Sequence, residues 1–250
     1  MTPTHDQPTT RLRAPAKLTL RLRVTGVQAD GLHTVDAEMV TVDLYDDLDV
    51  SPTTAGASRL ELLATGAAAG VTPGPDNLVL RALAVTGRLA EVRLRKRIPS
   101  EAGLGGGSAD AAAVLRWAGS TDPTEAARLG ADVAFCLVGG RARVTGFGEL
   151  IEPLGFVPLT FTLFTPPVRC PTGAVFRAWA ELGGPTGSGV NDLEPAALVV
   201  APELAIWRDK LADATGEIPQ LAGSGSTWFV PGAHPGPGRH VVHTVPAHPA

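Results

Sequence analysis

The sequence predicts an α+β protein, and three observations carry that prediction. Leu12, Ala14, Leu18, Leu20, Leu22 and Val24 alternate with Arg11, Arg13, Lys17, Thr19, Arg21 and Arg23, the period of a strand with one buried face. A second alternating run, Val92, Leu94 and Ile98 against Arg93, Arg95 and Arg97, delivers the chain to Pro99 and then to Gly103-Leu104-Gly105-Gly106-Gly107, where an alanine-rich helix begins near Ser108. From Leu154 to Phe164 an apolar run restarts sheet structure, which places a domain boundary near residue 150.

Along the chain, the first ten residues read as a disordered lead. A loop at Gly26 to His33 and a strand through Val40, Val42 and Leu44 complete a hairpin with the first strand. On that hairpin Lys17 faces away from the leucines, and Arg21 and Arg23 read as a solvated basic face. Asp43, Asp46, Asp47 and Asp49 read as a solvated strand end. Leu60 to Leu63 is a short strand, Gly66 to Pro75 a loop, and Asp76-Asn77 opens a helix through Leu78, Val79, Ala82 and Leu83. Asp122-Pro123 starts another helix, which stops at Gly130. Asp132 then stands immediately before the apolar run Val133 to Leu137, either as a helix cap or as a functional carboxylate.

Past residue 150, Val190 to Glu194 is a loop and Pro202 to Leu211 a helix with Leu204, Trp207 and Leu211 on one face. Gly223-Ser224-Gly225-Ser226-Thr227 reads as a strand-edge turn with exposed hydroxyls. His240 to Val245 is a final short strand after a Pro/Gly-rich segment; its His240 and His243 fall on opposite faces, which argues against a shared metal ion.

Composition bounds the partners. Of 250 residues, 44% are hydrophobic and 18% charged, ordinary for a globular chain. A net charge of -4 and a pI near 5.9 give no general attraction to nucleic acid or to an anionic membrane, so phosphate binding must be local. Two cysteines, Cys136 and Cys170, without paired spacing point to a reducing cytoplasm. The N-terminal stretch has no apolar core of a signal sequence, and no apolar run approaches the ~20 residues of a membrane-spanning helix.

Glycines followed at once by a helix build a phosphate cradle. They permit positive φ and close approach of an anion, while the first helical N–H groups lack intrahelical partners at the positive end of the macrodipole. Ser108 is placed to cap that helix through its hydroxyl. The cradle is not a P-loop, because Ala109 follows Ser108 where a Lys-Ser or Lys-Thr pair is needed. Its glycine spacing is also not that of a Rossmann loop.

Pro99 to Ala113 resembles the central motif of the GHMP kinases. Ala14-Pro15-Ala16-Lys17-Leu18, Ala29-Asp30-Gly31-Leu32-His33, Asp76-Asn77-Leu78, Gly103 to Ala113, Gly130-Ala131-Asp132-Val133, Gly146-Phe147-Gly148-Glu149, Asn191-Asp192-Leu193-Glu194 and Gly223-Ser224-Gly225-Ser226 occur in the order seen in the 4-diphosphocytidyl-2-C-methyl-D-erythritol kinase family. The resemblance implies a two-lobed GHMP kinase fold, with a ribosomal-S5-like N-terminal lobe (residues 11–150) and a ferredoxin-like C-terminal lobe (151–250). It implies an ATP-dependent kinase, with Mg2+, that phosphorylates a hydroxyl of a cytidine-diphosphate substrate in non-mevalonate isoprenoid precursor biosynthesis.

The family's catalytic pair falls on Lys17 and Asp132: the carboxylate accepts the hydroxyl proton while the lysine steadies the transferred phosphoryl group. Its nucleotide site falls on Asn77, Pro99, Gly103, Leu104, Gly105, Gly106, Gly107 and Ser108, and its substrate site on Thr19, Leu32, His33 and Phe176; the magnesium ligands are not assigned. The chain departs from the family at Leu32, where a tyrosine ring usually meets the cytosine, and at Thr19, where asparagine is usual. Those departures keep two other readings in view: a GHMP kinase for a different small alcohol, and a nucleotide-binding relative that no longer catalyses.

Overall fold

The computed structural model describes residues 8–28, 31–63, 66–68, 70–184 and 189–248. Its elements in chain order are β1 (Thr10–Val27), β2 (His33–Pro52), β3 (Arg59–Leu63), α1 (Leu78–Val85), β4 (Ala90–Arg95), α2 (Gly106–Ala118), α3 (Pro123–Ala127), α4 (Ala131–Val138), β5 (Arg141–Gly146), β6 (Leu150–Leu154), β7 (Thr160–Phe164), α5 (Thr172–Glu181), α6 (Glu194–Val200), α7 (Glu203–Thr215), β8 (Gln220–Leu221), β9 (Trp228–Pro231) and β10 (Arg239–His243). Most of the expected disordered lead, residues 1–7, lies outside the described residues, as do Ala29 and Asp30 of the loop before His33.

Two sheets result. In the first, the order is β3-β4-β2-β5-β6, with β1 antiparallel to β2 along almost its whole length. β3 runs parallel to β4, and the other pairings are antiparallel. The second sheet has the order β10-β7-β9-β8 and is antiparallel throughout. Sheets plus helices packed on them make the α+β class that the alternating patterns predict.

The period-two reading of β1 holds at its ends and fails in its middle, where Ala14 through Thr19 are all buried. The register to β2 jumps between Pro15 and Lys17, a bulge that re-aims the side chains. The cradle loop also docks here: the Lys17 N–H donates to the Leu104 carbonyl at 3.0 Å. Leu18 joins the first core, whereas Leu22 and Val24 belong to the second beside Cys170 and Trp228, so one strand serves both hydrophobic cores. Both cysteines are free and buried, and burial pushes their thiols up, Cys136 to about 12 and Cys170 to about 11.

Three surface readings need correction. Arg23 is not a solvated arm: it pairs at 2.6 Å with the fully buried Asp192, whose other oxygen accepts the Val24 N–H. Asp46 is not part of a solvated strand end: it is wholly buried, and its carboxylate accepts from Lys96 and from the N–H groups of Arg97 and Ile98. The hydroxyls of the 223–227 turn are not exposed either. Ser224 shares a hydrogen bond with Thr172 and Thr227 one with Thr165, and Asn191 Nδ2 donates to the carbonyls of Leu221 and Gly223.

That turn meets the cradle loop directly, with the Thr227 N–H donating to the Ala102 carbonyl. Gly103 has φ +74°, and a Cβ on it would overlap the Ala222 carbonyl oxygen. Replacing Gly103 by alanine therefore combines a left-handed backbone with a main-chain collision, a cost of about 2–4 kcal/mol. The urea midpoint of Gly103→Ala is expected to fall well below that of the parent; an unchanged midpoint would contradict this packing.

Candidate active site

A cavity of about 940 Å³ opens where β1, the cradle, the start of α4, α5 and the 223–227 turn converge. Gly105, with φ +66°, is the N-cap of α2 and supplies no side-chain cap. Ser108, expected at the cap, sits instead inside the first helical turn. The reason is the left-handed glycine, which turns the chain into the helix three residues earlier. The first intrahelical bond runs from the Ala109 N–H to the Gly105 carbonyl. The N–H groups of Gly106, Gly107 and Ser108 thus precede the helical ladder, beside the cavity that these residues line.

Lys17 crosses this site under close enclosure. A Cβ on Gly105 would stand 2.7 Å from its Cγ, and a Cβ on Gly223 would stand 3.4 Å from its Nζ. Its side chain is 6% exposed, and its ammonium meets Asp132 Oδ2 at 3.2 Å and Thr19 Oγ1 at 3.1 Å. Asp132 occupies the first turn of α4, whose N-cap is Gly130, so its carboxylate is free of capping duty and a third exposed toward the cavity. The helix dipole favours a negative charge at that position. A cation and a carboxylate brought together on a cavity wall beside a run of backbone donors can hold a phosphoryl group and take a proton from a hydroxyl.

The other residues expected from the sequence fall into two groups. Asn77, Pro99, Gly103, Gly105, Gly106, Gly107, Ser108, Leu32, His33 and Phe176 all line the cavity. Asn77 also caps α1, accepting from the Val79 N–H at 3.0 Å and donating to the Thr72 carbonyl. Leu104 and Thr19 do not line it: Leu104 is buried and offers Lys17 its carbonyl, and Thr19 is buried as the ammonium's partner. At the far end, the His33 ring lies 4.6 Å from Phe176 and edge-on to Trp179 at 5.6 Å, centroid to centroid. Leu32 stands at the rim, half exposed.

Sequence reasoning missed four contributors. Trp179 lies one helical turn beyond Phe176, and that i, i+3 spacing was the available signal. Lys96 and Asp110 line the cavity floor, and Asp46 lies beneath them. Lys96 occupies the same strand face as Leu94 and Ile98, so a lysine in an apolar register was the clue. Glu101, the one non-glycine residue with positive φ among those described, sits on the rim with Arg169 at 2.7 Å. The guanidinium holds the Glu101 carboxyl below its usual range.

Comparison with known proteins places this geometry. Residues 77–140 match the model of the GHMP kinases N terminal domain. The 4-diphosphocytidyl-2-C-methyl-D-erythritol kinase of Paracoccus denitrificans is 38% identical over 239 residues, 88% of this chain and 85% of that protein. The enzyme of the same name from Cereibacter sphaeroides (strain ATCC 17025) is 39% identical, with 94% of each chain covered. A crystal structure of 4-(cytidine 5'-diphospho)-2C-methyl-D-erythritol kinase superposes with a TM-score of 0.73 at 30% identity, covering 94% of this chain and 99% of the other. A homoserine kinase from Cytophaga hutchinsonii, 18% identical with a TM-score of 0.59, shares the fold. With a two-sheet GHMP fold and relatives of one name matched across nearly its full length, the chain belongs to the 4-diphosphocytidyl-2-C-methyl-D-erythritol kinase family.

Proposed function

We propose that the protein is an ATP-dependent kinase that transfers the γ-phosphoryl group to a hydroxyl of 4-diphosphocytidyl-2-C-methyl-D-erythritol, in the cytoplasm, on the route to isoprenoid precursors. The observation that carries this reading is the Lys17–Asp132 pair, 3.2 Å apart, on the same cavity wall as the uncapped start of α2. The triphosphate lies along the N–H groups of Gly106 to Ser108, with Asn77 and Pro99 on the nucleotide's side of the cavity. The substrate hydroxyl points at Asp132, which takes its proton as the oxygen attacks phosphorus. Lys17, already desolvated, stands where charge spreads in transfer and needs no rearrangement to meet it. The two lobes, expected as residues 11–150 and 151–250, divide the work, with β6 (Leu150–Leu154) paired to β5 in the first sheet: the first supplies the cradle and the catalytic pair, the second the 223–227 turn and α5.

Mg2+ accompanies the nucleotide in this reading, neutralising phosphate charge. Among the described residues no group of three or more His, Cys, Asp or Glu converges. An ion that keeps waters and phosphate oxygens as ligands needs only one or two protein carboxylates; besides Asp132, the base in this reading, Glu101 and Glu149 also line the cavity. At the other end, His33 and Phe176, backed by the buried Trp179, offer the surface for the cytosine. The His33 Nε2 is buried and makes no hydrogen bond with the described residues, while the ring as a whole lines the cavity beside Phe176. Leu32 supplies apolar contact at the rim where relatives carry a ring, which leaves Phe176 as the main stacking face.

Three measurements test this. Asp132→Asn is expected to slow single-turnover phosphoryl transfer about 10²- to 10⁴-fold while nucleotide affinity changes little. An unchanged rate in the folded variant would remove Asp132 as the base. Phe176→Ala is expected to raise KM for the cytidyl substrate about 5- to 100-fold, the equivalent of ~1–3 kcal/mol of lost stacking, with KM for ATP unaltered. Equal rises in both would place Phe176 outside the base site. In a panel assay coupled to ADP release, turnover of another alcohol in place of the cytidyl substrate would move the assignment to a sister kinase.

A further inference from the structure

Below the cradle lies a charged cluster that the transfer chemistry does not use. Lys96, 3% exposed, donates to Asp46 and to Asp110 Oδ2, the latter at 2.7 Å. Asp46 is fully satisfied, since its other oxygen accepts two backbone N–H groups. Asp110 is not: its Oδ1 is buried and takes no hydrogen bond from the described residues. The cluster is pressed against the cradle itself, because a Cβ on Gly106, the first residue of α2, would stand 3.0 Å from Lys96 Nζ. Lys96 and Asp110 both contribute to the cavity wall.

One ammonium between two carboxylates leaves a negative charge in excess, directly under the place where a triphosphate must sit. In a buried site that repulsion is only weakly screened. The surroundings do not cancel it. Lys17 on β1 is matched by Asp132 on α4, and the Cys136 thiol of α4, pushed up to about 12, is neutral. Against α2, helix α1 presents the apolar Val79, Ala82 and Leu83, and the next cation along α2, Arg116, is spent on the carbonyls of Cys136 and Leu137. The excess can be removed in place by a proton on Asp110, the carboxylate with an unpaired oxygen.

We propose that Asp110 is a charge-compensating residue of the nucleotide site: it takes one proton from solvent when the triphosphate settles in the cradle, and releases it when the nucleotide leaves. The proposal rests on the cradle binding ATP, as argued above. In the free protein burial pushes the Asp110 carboxyl up to about 7, against the pull of Lys96, so near neutrality the residue is poised between its two forms. An anion above it raises that value further. By linkage, protons are taken up on binding and nucleotide affinity increases as pH falls through this window, by at most about tenfold per pH unit.

The experiment is calorimetric titration of the full chain with a non-hydrolysable ATP analogue and Mg2+, at pH 7 in buffers of different ionisation enthalpy, for the parent and for Asp110→Asn. The parent is expected to take up about half a proton more than Asp110→Asn, which keeps the ligand's own ionisation as the common background. At pH 8.5 Asp110→Asn is expected to bind the analogue several-fold more tightly than the parent, whereas a purely structural role predicts weaker binding. Difference infrared spectra of the parent at pH 8 need no variant; a protonated carboxyl band should appear on adding the analogue. Binding with equal proton uptake in both proteins, or with no such band, overturns the inference and leaves the kinase reading standing. Absence of binding overturns both.

Discussion

The enclosure of Lys17 is the constraint on which the rest of the structure depends. An ammonium removed from water costs several kcal/mol unless charge and hydrogen bonds replace its hydration. Here the replacements come from two parts of the chain, Asp132 from the start of α4 and Thr19 from the same strand, while Gly105 packs against the lysine's methylenes. At Gly105 the lysine occupies the space a Cβ would fill, and at Gly223 a φ of +59° favours glycine. The bulge between Pro15 and Lys17 immediately precedes this lysine, within the buried stretch Ala14 through Thr19.

Because β1 carries that lysine, the strand also ties the two sheets together. Its first half packs in the core under α2; Leu22 and Val24 pack with Trp228 and Trp179. The Leu22 N–H donates to the Val190 carbonyl and the Asp192 N–H to the Leu22 carbonyl, so the 190–194 loop is stitched onto the same strand. Asn191 of that loop then holds the carbonyls of Leu221 and Gly223, fixing the turn that closes over Lys17. Buried Asp192, paired with Arg23, anchors the loop from beneath. A sequence of local bonds thus runs from one core to the other and ends at the ammonium.

How much of this was legible in the sequence depends on what kind of group carries the information. Asn77 as a cap, the hairpin of β1 and β2, and the helix after the glycines were readable because local backbone chemistry sets them. Arg23, Asp46 and the hydroxyls of Ser224 and Thr227 were misread as solvated, because whether a polar residue is buried depends on partners 30 or more residues away, such as Asp192 for Arg23 and Lys96 for Asp46. Ser108 was misplaced for a subtler reason: a glycine with positive φ can end a loop without any side-chain cap. The two charged residues on apolar registers, Asp46 and Lys96, were visible as anomalies and pair with each other, which is how buried charges survive.

The two ends of the cavity therefore differ in how evolution can alter them. The proposed phosphate end is built from main-chain N–H groups and from glycines, of which Gly103, Gly105 and Gly106 would set a Cβ 3.0 Å or less from Ala222, Lys17 and Lys96, so change at those three disturbs the fold. The far end is built from side chains on β2 and α5 that converge only in three dimensions: His33 against Phe176 and Trp179, with Leu32 half exposed beside them. A rim residue with half its surface in solvent can exchange an aromatic ring for leucine at little cost to stability. On the proposed reading, transfer chemistry is tied to the architecture, while the surface that would meet the base is not. On the same reading a chain of net charge -4 can hold a polyphosphate, because attraction is confined to one helix end and one buried lysine and does not need a basic surface.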